Sequence, residues 1–315
     1  MKYALCFPGQ GAQQVGMGQE LYRAFPSAKA VFDEADDALS THLTKLIFEG
    51  SEGELTLTAN AQPAIMTVSV AALSVLEKEM GVALKPACGA GHSLGEYTAL
   101  VAAGVLSFRD AVRLVNKRGR WMQEAAPEGV GAMAAILGLG SDEVKALCAE
   151  AAPGGECQAA NFNSPGQVVI SGVKEFVEKA AAAAKAKGAR KTVMLNVSAP
   201  FHSRLMLPAA EKLKEEFERC SWAEPKWPIV ANVSASAVVS AEEIRDALYE
   251  QTFSPVLWES SVLYMVDYGV DTFLELGPGE VLCGLIKRCR KGLKQMAAGE
   301  PEALEAMATA LREGA

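Results

Sequence analysis

Ser93, His202 and Arg118 are the residues through which this sequence can offer chemistry. Gly91-His92-Ser93-Leu94-Gly95, within the stretch GAGHSLGEYTALVAAG at 89–104, fits G-x-S-x-G. That pattern marks a sharp strand-to-helix turn, which holds a serine in a strained backbone conformation with its Oγ exposed at the carboxyl end of a strand. The glycines let strand and helix approach closely, and the N–H of Leu94, at a helix N-terminus, would face a developing oxyanion. The same residues also fit a plain helix start, because serine is a favoured N-cap. The run Ala99 to Ala103 is apolar on all sides, which places the following helix in the centre of the fold and favours the turn.

A serine hydroxyl needs a base, most often histidine, and the chain holds three. His42 lies between polar helical segments and reads as solvated, while His92 sits inside the turn and points differently from Ser93. His202, in SAPFHS at 198–203, follows a strand, and Pro200 stiffens its loop; it becomes the leading candidate. Isolated histidines show none of the usual zinc-ligand spacings, so no metal is expected. Arg118 falls on the apolar stripe formed by Ala111, Leu114, Val115 and Met122, whereas Arg113, Lys117 and Arg120 lie mostly on the polar face. A core-facing guanidinium must be paired. It either makes a structural ion pair with a buried carboxylate or binds a carboxylate on a substrate in bidentate fashion.

The elements that must position these residues read as two textures in a chain of 315 residues, 50% hydrophobic and 22% charged, an ordinary globular composition. KYALCF is a short buried strand, and the glycine-rich PGQGAQQVGMG after it is a loop. Its spacing fits neither phosphate-binding pattern: Gln14 stands where G-x-G-x-x-G needs glycine, and Met17 follows Gly16 where a P-loop needs lysine. Helices are predicted at 17–24, 27–39, 62–80 and 108–124, the last opening on Ser107 with Asp110 three residues on. From 130 onward the order strand, helix, strand, strand, helix, strand predicts a ferredoxin-like βαββαβ unit, with Ser141 capping its first helix and Gly188 closing its second. The fold class is therefore α/β: a large hydrolase-like subdomain at 1–125 and 198–315, its short parallel sheet covered by helices, interrupted by a ferredoxin-like subdomain at 126–197. After the insertion come a helix at 208–220, a strand at 229–233, helices at 241–250 and 255–268, and a strand at 271–279 before a last helix at 280–290.

A net charge of -8 with scattered basic residues argues against nucleic acid or an anionic membrane as partner. The N-terminal apolar run is broken by Pro8, too short for a signal-peptide core, and no unbroken apolar window spans a membrane. Seven widely spaced cysteines, none in a recognisable motif, suit reduced, buried thiols in the cytoplasm.

These residues, in this order, resemble the malonyl-CoA:acyl carrier protein transacylases and the related acyltransferase domains of fatty-acid and polyketide synthases. The likeness runs along nearly the whole chain: FPGQGAQ at 7–13, QPAI at 62–65, GHSLGEY at 91–97, KRG at 117–119, NFNSPGQVVISG at 161–172, APFH at 199–202, SPVLW at 254–258 and LELGPG at 274–279. The resemblance implies ping-pong transfer: Ser93, activated by His202, attacks a malonyl thioester, and the phosphopantetheine thiol of an acyl carrier protein then attacks the acyl-enzyme. It maps the oxyanion hole onto the N–H groups of Gln10 and Leu94, the carboxylate-binding arginine onto Arg118, and the group orienting the histidine onto the backbone carbonyl of Gln251 rather than an acid. It places Asn161 and Gln62 near the site. Phe201 stands where relatives accepting methylmalonyl tend to carry smaller residues, so it would crowd an α-methyl group. The partners implied are malonyl-CoA and an acyl carrier protein, with no cofactor; a discrete cytoplasmic monomer serving fatty-acid synthesis is expected, polyketide synthesis being the alternative. A serine esterase or thioesterase would share Ser93 and His202 but pass the acyl group to water, and a carrier-binding module would use neither. Lys185, Lys187, Arg190 and Lys191 are a candidate docking patch for an acidic carrier protein, or simply a solvated helix end.

Overall fold

The structure, a computed structural model, describes residues 1–127, 129–197 and 199–314. Its strands are β1 Tyr3–Phe7, β2 Cys88–Gly91, β3 Gly131–Leu137, β4 Cys157–Ser164, β5 Gln167–Val173, β6 Lys191–Met194, β7 Ile229–Val230, β8 Ala237–Val238, β9 Thr272–Leu276 and β10 Lys294–Ala298. They form a six-stranded sheet of order β10-β9-β1-β2-β7-β8 and a four-stranded sheet of order β4-β5-β3-β6. In the larger sheet every pairing is parallel except β7 with β8. Alternate residues of β1 enter different cores: Leu5 and Phe7 pack into one cluster, Ala4 and Cys6 into another. Burial on both faces is what a parallel sheet covered by helices requires, and it explains why YALCF at 3–7 reads as a continuous apolar run.

Strand order reverses direction at β1, whose neighbours are β2 on one side and β9 on the other. In open α/β sheets such a switch point leaves a crevice beyond the carboxyl ends of the strands. The chain leaves β1 into the loop carrying Gln10, leaves β2 into the turn carrying Ser93, and leaves β7 into the turn carrying Asn232. The helix Thr58–Ser74 beside this crevice is buried on nearly every side and runs on helically to Glu79. By length and composition alone it could cross a membrane, but 89% of its most apolar window is buried inside the protein.

All four strands of the smaller sheet come from one continuous stretch and pair antiparallel. Period-two alternation sorts their side chains. Ile136, Val168 and Ile170 face the helices Ser141–Ala151 and Lys174–Ala186, and Met133 and Val169 face the larger sheet's side, in a cluster with Met122, Phe201 and Met206. The expected boundary at Ser198 and the last residue, Ala315, lie outside the described residues.

Several predicted elements shift. The strand expected at 229–233 stops at Val230, because Asn232 turns its amide toward the Ser93 loop. Gly140, not Ser141, occupies the cap of its helix, where its N–H is taken by the Glu143 carboxylate. The short β8 strand, β10 and the helix Pro301–Glu313 carried no clear sequence signal.

Candidate active site

Gly91 ends β2 and Gly95 opens the helix Leu94–Ala102, and they touch back to back: a Cβ on Gly91 would lie 1.9 Å from the Gly95 carbonyl carbon, and one on Gly95 would lie 2.0 Å from the Phe7 oxygen. No side chain fits either gap, so the glycines of the motif are steric requirements. Between them Ser93 adopts φ 52, ψ -103, outside the regions that L-residues favour. Its side chain makes no capping bond to the helix. Instead Ser93 Oγ lies 2.8 Å from His202 Nε2. The plain N-cap reading is thereby excluded.

His202, also at positive φ (56°), is buried, and its Nδ1 lies 2.8 Å from the main-chain oxygen of Gln251. A carbonyl can only accept, so Nδ1 carries the proton and Nε2 is left to accept from Ser93 Oγ–H. Burial first and the Arg118 charge second push the imidazole down to about 3. The ring is therefore neutral at neutral pH, the form a general base needs. His42 is exposed, as expected. His92 points away from Ser93, its Nε2 2.8 Å from Asn163 Oδ1 and its ring near Trp258.

Arg118 is 1% exposed on the helix Phe108–Glu124. It donates to Gln62 Oε1 at 2.9 Å, Gln251 Oε1 at 2.9 Å and Ser93 Oγ at 3.0 Å, and lies over the Tyr97 ring. Among the described residues no carboxylate forms an ion pair with it, which removes the structural ion-pair reading. A buried cation held only by neutral oxygens beside a nucleophile is arranged to receive an anion.

The cavity in front of these groups has a volume of about 130 Å³ and lies between the two sheets. Gln10, Gln62, Leu94, Asn161 and Phe201 line one part of it, and Met133 of β3 together with Leu195 and Val197, just after β6, line another. Gln10 is steadied by a 3.2 Å bond from its side chain to Thr58 Oγ1. Phe201, 8% exposed, packs with Met122 and Met206. Asn161 sits where β4 meets the segment after Ser254, in a bridge to Val256. Every site residue expected from the sequence thus reaches one place. The patch Lys185, Lys187, Arg190 and Lys191 is exposed and lies outside the cavity lining, and Lys187 pairs with Glu150 at 3.4 Å.

Sequence reasoning missed the residues behind the site: Glu96, Asn232 and the side chain of Gln251. Glu96 was legible as the one charged residue in an otherwise apolar helix start. Asn232 carried only the weaker sign of an amide after a short strand.

A serine–histidine pair on a strained turn at the carboxyl edge of a parallel sheet, in a cavity shared with a buried guanidinium, is an arrangement suited to an acyl-transfer protein of the α/β class. More particularly, the chain belongs to the acyl transferase domain family, which matches residues 5–308. It is 50% identical over 313 residues to the malonyl CoA-acyl carrier protein transacylase of Bacillus subtilis, covering 99% of this chain and 98% of that protein. Among solved structures it superposes on the acyl-carrier-protein-S-malonyltransferase of Bartonella henselae with TM-score 0.97 at 45% identity, covering 99% of this chain and 100% of that one. A malonyl-transacylase solved in complex with its type II PKS acyl-carrier protein matches at TM-score 0.95 and 45% identity, with 99% and 100% coverage.

Proposed function

We propose that this protein transfers a malonyl group from malonyl-CoA to the phosphopantetheine thiol of an acyl carrier protein, in fatty-acid synthesis, through a malonyl ester on Ser93. The observation that carries this reading is the meeting of three groups at one atom: Ser93 Oγ touches both the acceptor nitrogen of a neutral histidine and a buried arginine that lacks a carboxylate partner among the described residues.

The steps follow from the geometry. The malonyl carboxylate takes donors of Arg118 now spent on Ser93 Oγ and Gln251, while Gln62 continues to hold the guanidinium. Ser93 Oγ attacks the thioester carbonyl as its proton passes to His202 Nε2, and the N–H groups of Gln10 and Leu94 receive the oxyanion. Collapse expels coenzyme A, whose sulfur takes the proton from His202. The carrier thiol then gives its proton to His202, attacks the ester, and leaves with the malonyl group as Ser93 recovers its proton. Charge placed against Arg118 also offsets the field that holds the His202 ring down, so the anionic acyl group strengthens the base that reacts with it. No cofactor enters any step.

The same reading takes 126–197 as an inserted ferredoxin-like subdomain, supported by its βαββαβ order and strand order β4-β5-β3-β6, and 1–125 with 198–315 as the catalytic subdomain. Free thiols at all seven cysteines suit a cytoplasmic setting, and the protein is taken to act as a monomer.

The test is intact mass after brief mixing with malonyl-CoA or acetyl-CoA, in wild type and in Arg118→Ala. A malonyl adduct on Ser93 in wild type, with its preference over acetyl lost in Arg118→Ala, is the expected result. Free malonate accumulating without an adduct would make the protein a hydrolase; neither adduct nor turnover would make it a binding module.

A further inference from the structure

Resting on that reading, a deeper layer of the site can be assigned. Ser93 is clamped at both of its backbone polar groups: its N–H donates to Asn232 Oδ1 at 2.7 Å, and its carbonyl accepts from Gln251 Nε2 at 2.9 Å. Asn232 also donates Nδ2 to the Gly91 carbonyl at 2.7 Å, so it grips both sides of the turn. Gln251 is in addition the residue whose carbonyl holds His202 Nδ1. The two clamps come from distant elements, one after β7 and one on the helix Ala241–Phe253, and they meet at a single atom. Glu96 Oε2 accepts the Asn232 N–H at 3.0 Å and the Gln251 Nε2–H at 3.0 Å.

We infer that Glu96 is the positioning residue of this site: one buried carboxylate oxygen fixes Asn232 and Gln251 together, and through them the strained Ser93 backbone and the His202 imidazole. A backbone at φ 52, ψ -103 persists only where its surroundings over-determine it. The position of Glu96 makes this possible. It lies three residues after Ser93, on the first turn of a helix buried on all sides, where a carboxyl group costs stability unless its donors are fixed. Burial pushes that carboxyl up to about 7, with the two donors and the Arg118 charge pulling the other way. What the two clamps need from this position is an acceptor oxygen at the right reach, and an amide can supply it as well as a carboxylate.

Reach and charge are separable. Glu96→Asp keeps the charge and withdraws the oxygen by about 1.5 Å, one carbon–carbon bond, whereas Glu96→Gln keeps the reach and discards the charge. Ser93 reactivity is read with two probes, the rate of acylation by malonyl-CoA and the rate of labelling by a fluorophosphonate, alongside KM for malonyl-CoA and the melting temperature. Glu96→Asp is expected to slow both reactions by about 100-fold, the scale of a misplaced general base, with KM changed less than about threefold. Glu96→Gln is expected to stay within about threefold of wild type in both. A Glu96→Gln rate tenfold or more below wild type overturns the inference, whether or not the aspartate variant folds. A folded Glu96→Asp at wild-type rates overturns it too, even if its melting temperature drops. Should wild-type Ser93 react with the fluorophosphonate but not with malonyl-CoA, the proposed function fails, while the fluorophosphonate rates still decide the role of Glu96.

Discussion

His202 donates its Nδ1–H to the main-chain carbonyl of Gln251 at 2.8 Å, where a hydrolase triad would place a carboxylate. A neutral acceptor fixes the tautomer without adding negative charge, and burial and Arg118 then hold the ring at about 3 rather than its ordinary 6.5. The ring is therefore neutral in the resting protein throughout the pH range of an ordinary assay. We predict that kcat/KM for malonyl-CoA shows no histidine step near 6.5 when measured in Glu96→Gln, so that Glu96, itself titrating near 7, does not contribute. His202→Ala should lower kcat by about 10³-fold. The linkage runs in a fixed direction: the unfolded chain binds the His202 proton below about 6.5 and the folded one only toward 3. Stability owed to this group is complete above pH 6.5 and drains away as pH falls. A clear inflection near 6.5 that disappears in His202→Ala would contradict this account.

Arg118 serves its neutral partners and the incoming carboxylate with a planar fork of donors, and lysine cannot reproduce that geometry. Arg118→Lys is predicted to keep a preference for malonyl over acetyl but to lose about tenfold or more in kcat/KM, about 1.4 kcal/mol per decade. Competition between the two thioesters, scored by the mass of the Ser93 ester, measures the preference, and the initial rate with malonyl-CoA alone at low concentration measures kcat/KM. Equal rates for wild type and the lysine variant would mean that point charge alone suffices.

How far the site could be read from sequence depended on how local its signals are. Ser93 stood out because the steric demands of Gly91 and Gly95 are met within five residues, and Arg118 because a cation interrupts an apolar helical stripe. His202 emerged only because few histidines compete with it. The strands and helices between Gly131 and Met194 were legible one by one, since period-two and helical patterns are properties of short segments. Glu96, Asn232 and the Gln251 side chain were not, because their roles consist of contacts across 136, 155 and 158 residues that no local pattern encodes. The edge strand β8 failed for a related reason, since two residues carry no period and pairing alone makes them a strand, whereas β7 was expected and only its end, at Val230 rather than 233, was missed.

Phe201 bears on selectivity. It is buried against Met122 and Met206, lines the cavity that holds Ser93, and directly precedes His202. An α-methyl on the acyl group must find room in this wall. One methyl group in an apolar pocket is worth about tenfold or more in discrimination. Phe201→Ser should therefore raise the yield of methylmalonyl relative to malonyl ester on Ser93 by about tenfold, read by mass after mixing with equimolar thioesters. An unchanged ratio would place the α-carbon against a different wall.

The acidic balance of the chain leaves the docking of an acidic carrier protein to local charge. Lys185, Lys187, Arg190 and Lys191 are exposed at the end of the helix Lys174–Ala186 and the start of β6. From Lys191, β6 leads directly to Leu195 and Val197 in the cavity wall. At about 3.3 Å per residue, Lys191 stands roughly 13 Å from Leu195, a span that an extended prosthetic arm can bridge while its carrier stays outside. Lys187 is partly neutralised by Glu150 at 3.4 Å, so the other cations should dominate. Replacing all four with alanine is predicted to raise KM for the carrier several-fold and to flatten its dependence on salt, because screening weakens attraction between exposed charges. Acylation by malonyl-CoA, which precedes carrier binding, should be unchanged. A carrier KM that does not move would make the cluster a solvated helix end and send the search for the docking face elsewhere on the cavity rim.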